Sequence, residues 1–213
     1  MKKSFVGLKI IEVKKELSGL KLNNIINLIK KENNYSILSN LSNALIKEYL
    51  LIATKSKKIF LFILIKKKKI VGYSLYAKKE NDLIKEFDRL KFKILQNLIF
   101  KFKIFSLINI FLAITKLDLI YLNQAKNIKD NGLNLNLLAI DKKSQSMGLG
   151  VFFLKKTIKI VYNKIYKFKF ITCEAPTERA LNFYRNKAGF RLLGKKIRIN
   201  KNLFVLKKNI NEL

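Results

Sequence analysis

The stretch that decides the fold spans residues 133–190. It reads LNLNLLAID (133–141), KKSQSMGLGVFFLKKTIKIVYNKI (142–165), FKFITCEA (168–175) and PTERALNFYRNKAGF (176–190). The first piece reads as a strand. The second is a glycine loop that opens a helix over about 151–164. The third is another strand, and the fourth a short helix that ends at a glycine. The loop consists of Gln145, Ser146, Met147, Gly148, Leu149 and Gly150. Its two glycines let the backbone turn sharply and approach a ligand without an intervening Cβ. The first N–H groups of the following helix lack partners within it, and the helix dipole adds partial positive charge there. Strand, glycine turn and helix N-terminus together predict a seat for a phosphate or pyrophosphate. The loop lacks the third glycine and later acid of a dinucleotide fingerprint, and no Gly-Lys-Ser/Thr follows to make a P-loop.

Downstream, Ala180, Phe183, Tyr184, Gly189 and Phe190 spell A-x-x-F-Y-x-x-x-x-G-F. Together, Q-x-x-G-x-G, this second motif and the preceding LLAID resemble the acetyl-CoA-binding core of the GCN5-related N-acetyltransferase (GNAT) family. The resemblance covers about residues 133–193. It implies an α/β fold with a mixed, mostly antiparallel central sheet flanked by helices, in one domain over 1–213. It also implies transfer of an acetyl group from acetyl-CoA to an amine acceptor by direct attack, with no metal.

The rest of the chain fits that plan with one departure. Residues 5–13 alternate as a first strand, and 17–31 and 39–53 carry apolar residues at helical spacing. Residues 59–65 and 70–77 read as a hairpin around a polar lysine turn. A final hairpin is expected from 191–199 and 203–208, turning at Asn200-Lys201-Asn202. No Pro-, Gly- or Ser-rich linker and no internal repeat divides the chain. The departure is 82–129, a helical insertion between the third and fourth strands, where the family usually turns straight back. There Ile94, Leu95, Leu98, Ile99, Phe102 and Phe105 follow a helical rhythm among Lys91, Lys93, Lys101 and Lys103. Between Lys85 and Lys129 stand nine Lys or Arg against three Asp or Glu. The longest uncharged run there, 104–115, has 12 residues, short of the roughly 20 a bilayer span needs. Two readings stand for 85–129: two extra helices packed on the domain with solvated lysines, or an amphipathic surface that lies on anionic membrane or docks a partner.

Composition narrows the classes. The chain has 213 residues, of which 49% are hydrophobic, enough for a core and too many for a disordered chain. Its formal charge is +31, from 45 Lys and Arg against 14 Asp and Glu. Such a surface favours polyanions such as coenzyme phosphates, nucleic acid or acidic lipid. Nucleic-acid binding rests on charge alone, with no stacking motif or groove-reading helix behind it. The chain has no histidine, which removes the commonest general base and metal ligand. The single Cys173 makes no internal disulfide and reads as a small buried residue on a strand. No secretory signal is visible, and a cytoplasmic, membrane-peripheral location is expected.

The resemblance assigns residues to three jobs. Residues 145–150 would hold the pyrophosphate through backbone N–H groups, in a positive field: eight lysines and no acid lie between Lys142 and Cys173. Leu138, Ala139 and Ile140 would lie along the pantetheine arm, where the fourth and fifth strands splay. Tyr184 matches the tyrosine that many members use as general acid at the leaving sulfur. Thr177 stands where the family often has Asn; it can cap the helix, and Asn182 is the substitute for holding the coenzyme. Glu174, on the fifth strand, is a candidate for the base, with a water chain as the alternative. Loss of that Asn and the extra helices also suit a different reading: a catalytically idle acyl-CoA-binding module at a membrane or partner surface.

Overall fold

The structure, a computed structural model, describes residues 7–14, 19–115, 132–145, 147–198 and 201–212. In order these form β1 (Leu8–Glu12), α1 (Gly19–Glu32), α2 (Ile37–Asn40), α3 (Asn43–Lys55), β2 (Ile59–Lys66) and β3 (Lys69–Ala77). Next come α4 (Glu80–Phe87), α5 (Lys91–Phe100), α6 (Ile104–Thr115), β4 (Gly132–Ile140) and α7 (Leu149–Lys164). The last elements are β5 (Phe170–Ala175), α8 (Glu178–Asn182), β6 (Arg191–Arg198) and β7 (Lys201–Asn209). The sheet order is β1-β2-β3-β4-β5-β7-β6. Every pairing is antiparallel except β4 with β5, which are parallel and joined through α7.

The unbroken apolar run of β2 follows from its position between two layers. Phe60, Phe62 and Leu64 join a core with α7 residues Phe153, Leu154, Ile158 and Val161. Alternate residues Ile59, Leu61 and Ile63 enter a second core with Ile25 and Ile29 of α1 and Ile46 and Leu50 of α3. A strand buried on both faces has no reason to alternate apolar with polar. Across the first core, Tyr76 and Thr157 share a buried hydrogen bond of 2.5 Å. Thr157 Oγ1 also lies 2.9 Å from the Phe153 carbonyl oxygen, its acceptor one turn back, which leaves the Tyr76 hydroxyl as the donor to Thr157.

Two expectations need correction here. The helix expected over 39–53 is two helices. Leu41 is extended, at φ −74° and ψ 164°. Ser36 caps α2 by accepting from Ser39 N–H at 3.2 Å, and Ser42 caps α3 by accepting from Leu45 N–H at 3.3 Å. Two side-chain caps six residues apart start two helices, because each removes an orphan donor at its own N-terminus. In the final hairpin, Lys201 and Asn202 belong to β7 rather than to the turn; Asn200 lies outside the described residues.

Between β3 and β4 the described chain makes three helices, with a 3-10 turn at Asp88–Leu90, where two helices were expected. Phe87, Leu90 and Leu98 enter the second core. Asn97 Oδ1 accepts from Ser42 N–H at 3.1 Å, and Asn40 Nδ2 donates to Ser106 Oγ at 3.2 Å. These contacts fix α5 and α6 against α2 and α3. Residues 116–129 of the expected insertion lie outside the described residues. Among the described residues no helix is long and apolar enough to cross a membrane.

Candidate functional site

The site begins where β4 leaves β5. Their pairing runs only from Gly132–Phe170 to Leu135–Cys173. Beyond that, β4 continues to Ile140 on β3 alone. The β3–β4 register shifts so that Leu75 faces Leu137, Tyr76 faces Leu135, and Asn136 is left unmatched. A bulge of this kind bends its strand and adds local twist. It lies one residue past the last β4–β5 pair, where the strands must diverge. A cleft of about 1050 Å³ opens in the gap.

Leu138, Ala139 and Ile140 line that cleft with Asn136 and Leu137. Asn136 Oδ1 is buried with no hydrogen-bond donor among the described residues. Gly148 and Gly150 line it as well. Gly148 is the N-cap of α7, with φ +77° in the left-handed region that favours glycine, and no side chain caps the helix. Phe152 N–H is the first to bond back, to the Gly148 carbonyl at 3.1 Å. The N–H groups ahead of it form the open end of a 16-residue helix, the electropositive end of its dipole.

Gly150 has a further reason to be glycine. A Cβ there would meet Phe183 Cε2 at 3.0 Å and Cζ at 3.3 Å. The missing side chain therefore makes room for an aromatic ring, in addition to any approach by a ligand. Leu149 turns into the core, 3% exposed, so only its backbone is available to the site. Met147 is not among the residues that line the cleft; its sulfur lies 3.6 Å from Lys66 Nζ. Ser146 lies outside the described residues.

The Gln145 side chain is a clamp. Its Nε2 donates to the Ile140 carbonyl at 2.7 Å and to Glu32 Oε2 at 3.2 Å. Its Oε1 accepts from Arg179 Nη2. Glu32 Oε1 also accepts from Lys142 N–H at 3.1 Å. The end of α1, the end of β4, the loop entrance and α8 are thereby tied together. Glu32 and Arg179, both on the cleft wall, escaped the sequence reading. They lie 113 and 34 residues from Gln145, and no local motif announces them.

Tyr184 lies in a π-helical turn, Phe183–Lys187, that continues α8. Such turns recur at functional sites. Its ring is packed edge-on by Phe183 at 5.1 Å and Phe190 at 5.4 Å. It is 7% exposed and lines the cleft. Burial, then the Cys173 thiol and Tyr76, push its phenol well above the ordinary value. Tyr184 therefore stays protonated through the neutral range. Cys173 is fully buried, and burial pushes its thiol well up too. It is a packing residue, as expected, rather than a thiolate. Thr177 caps α8 by accepting from Ala180 N–H at 3.2 Å, and Asn182 stands exposed on the cleft wall.

Glu174 reaches the cleft from β5. Its Oε1 is 2.6 Å from Lys196 Nζ, and the two side chains are 40% and 10% exposed. The carboxylate is thus already engaged with a nearly buried ammonium. On the α1 face of the sheet, beyond Glu32, the wall carries uncharged polar side chains: Asn33, Ser36 and Asn40 from 33–40, and Ser106 and Asn109 from α6. The chain between β3 and β4 therefore builds part of the cleft. Among the described residues no cluster of three or more ligating side chains could hold a metal ion.

No family model and no curated protein matches the chain by sequence. Solved structures match it by shape. Polyamine N-acetyltransferase from Drosophila melanogaster superposes with a TM-score of 0.60 at 10% identity, over 95% of this chain and 100% of that one. The ribosomal-protein-S18-alanine N-acetyltransferase of Escherichia coli gives 0.54 at 11% identity, over 95% and 94%. A GNAT family acetyltransferase from Elizabethkingia anophelis with acetyl-CoA bound gives 0.51 at 13% identity, over 96% and 99%. The splayed β4–β5 pair, the glycine loop at the head of α7 and these superpositions give one conclusion: the chain has the fold of the GNAT acetyltransferases.

Proposed function

We propose that the protein is an acetyl-CoA-dependent N-acetyltransferase. The observation that carries this reading is a single cleft that joins the open N-terminus of α7 to the protonated hydroxyl of Tyr184 along the unpaired edge of β4. Free N–H groups at a helix start suit a pyrophosphate. An unpaired strand edge at 136–140 suits the amide groups of a pantetheine arm, and Asn136 Oδ1 is an acceptor awaiting an N–H. One of the superposed enzymes holds acetyl-CoA.

In the proposed reaction the acceptor nitrogen forms a bond to the acetyl carbon as the bond from that carbon to sulfur breaks. Tyr184 delivers its proton to the departing sulfur. A phenol raised by burial is a weak acid, but it does not lose its proton to solvent first. The nitrogen must also shed a proton. Glu174 and Glu32 line the cleft, yet each already has a partner. We assign that proton to water in the cleft, with Glu174 as the alternative.

The superposed enzymes acetylate a polyamine in one case and an alanine of a ribosomal protein in another, so the fold leaves the acceptor open. Charge favours one class. A chain of +31 repels polycations at long range and draws acceptors whose amine lies beside negative charge. An acidic peptide or a phosphorylated amino sugar fits better than a free polyamine. Thiol release from acetyl-CoA over a panel of such amines tests the assignment. The idle-module reading predicts binding without release.

A further inference from the structure

The turn between α5 and α6 carries apolar side chains that the two cores leave out. Phe100 and Phe102 are 81% and 86% exposed, and Ile99, Ile104 and Phe105 are each more than half exposed. Of the residues expected at this surface, Leu98 is buried and anchors the turn from beneath. The turn itself is firmly made. Phe102 sits at φ +49°, in the left-handed region that a bulky residue rarely adopts. Phe102 N–H donates to the Ile99 carbonyl and Lys103 N–H to the Leu98 carbonyl, both at 2.9 Å. The backbone thus holds the phenylalanines outward at some conformational cost.

The charge around these rings says what they meet. The run Phe100-Lys101-Phe102-Lys103-Ile104-Phe105 interleaves lysines with apolar groups. Lys101 donates to the Asn40 carbonyl at 3.2 Å. Its ammonium is held below the ordinary lysine value by desolvation, then by the neighbouring charges of Lys30 and Lys103. A second copy of a +31 chain would be repelled from this surface. Rings that enter an acyl layer beneath lysines at headgroup level match a bilayer of anionic lipid.

We propose that the α5–α6 turn docks the protein on anionic membrane, with Phe100 and Phe102 inserted and Lys101 and Lys103 at the headgroups. This goes beyond the catalytic assignment and stands without it.

The chain contains no tryptophan, so Phe102→Trp supplies a single reporter at the tip. The vesicles are equimolar phosphatidylglycerol and phosphatidylcholine, or phosphatidylcholine alone. On anionic vesicles the emission should move to the blue and be quenched by bromine-labelled acyl chains. Adding Phe100→Ser should lower partitioning about tenfold or more, and high salt should weaken it. Circular dichroism melts of both variants confirm the fold. Co-sedimentation with unshifted emission would mean attraction by lysines alone and would overturn the proposal. So would absence of binding, equal binding to neutral vesicles, or a blue shift without lipid that grows with protein concentration. That last result would assign the face to a second copy. Emission that shifts only with an added acidic protein would overturn it in favour of a protein partner.

Discussion

Gly150 and the ring of Phe183 are packed so closely that a methyl group on Gly150 would lie 3.0 Å from Phe183 Cε2. The contact couples the glycine loop to the π-helical turn that carries Tyr184. A change at the glycine loop is therefore felt at the turn that carries Tyr184.

Gly150→Val should do more than block a ligand. Overpacking of this kind costs about 1–3 kcal/mol, which lowers the melting temperature of a chain this size by roughly 3–10 °C. The variant should also lose acetyl-CoA affinity. In a Phe183→Ala background, which removes the ring, the same Gly150→Val change should cost much less. Calorimetry on the wild type, both single variants and the double variant checks this; additive losses would mean that the clash lies elsewhere.

Tyr184→Phe keeps the ring that Phe183 and Phe190 pack against and removes only the proton donor. Turnover should fall by about 10²-fold or more with acetyl-CoA affinity little changed. Steady-state kinetics together with titration calorimetry separate the two quantities. Undiminished turnover would reduce Tyr184 to a packing residue.

Glu174→Gln decides between a base and a structural ion pair. Breaking a buried pair costs roughly 3–5 kcal/mol. Glu174 is 40% exposed, so about 1–2 kcal/mol is expected here. If the pair is structural, stability falls and the acidic limb of the rate–pH profile remains. Loss of that limb with stability unchanged would make Glu174 the base.

Alkali should unfold the protein cooperatively. Tyr73 and Tyr76 are completely buried, and burial pushes both phenols far above the ordinary range, as it does Tyr184. Unfolded tyrosines lose their protons near pH 10. Above that pH the unfolded chain binds fewer protons than the folded one, so stability falls as pH rises. Absorbance at about 295 nm should show these three and Tyr49, whose phenol burial also pushes far up, four of the eight tyrosines, ionising only with the loss of ellipticity. Smooth ionisation of all eight in the folded protein would contradict the burial.

Local signals in the sequence located most of the strands and the glycine loop. Apolar runs, lysine turns and Gly148 act over a few neighbours, and their consequences are legible along the chain. The clamp at Gln145 was not legible, because Glu32 and Arg179 meet it only after the sheet has formed. The reason for Gly150 was half read: its freedom from a Cβ was visible, but the ring of Phe183 that needs the space was not. The break at Leu41 was available in the two capping serines, yet the apolar spacing of 39–53 continues through it and concealed it. The part that α6 plays in the cleft depends on Asn40 meeting Ser106 across 66 residues, a contact that only packing decides.

The central claim is that one cleft binds acetyl-CoA and passes its acetyl group to an amine. Its most direct test is thiol release by the full chain with acetyl-CoA and a panel of acidic peptides with free N-termini, amino sugars and polyamines, after acetyl-CoA binding is established by titration calorimetry. The account predicts saturable binding and thiol release that depends on the amine, is greatest with acidic acceptors and is largely lost in Tyr184→Phe. Binding with no release above the amine-free rate, or no binding at all, would contradict it.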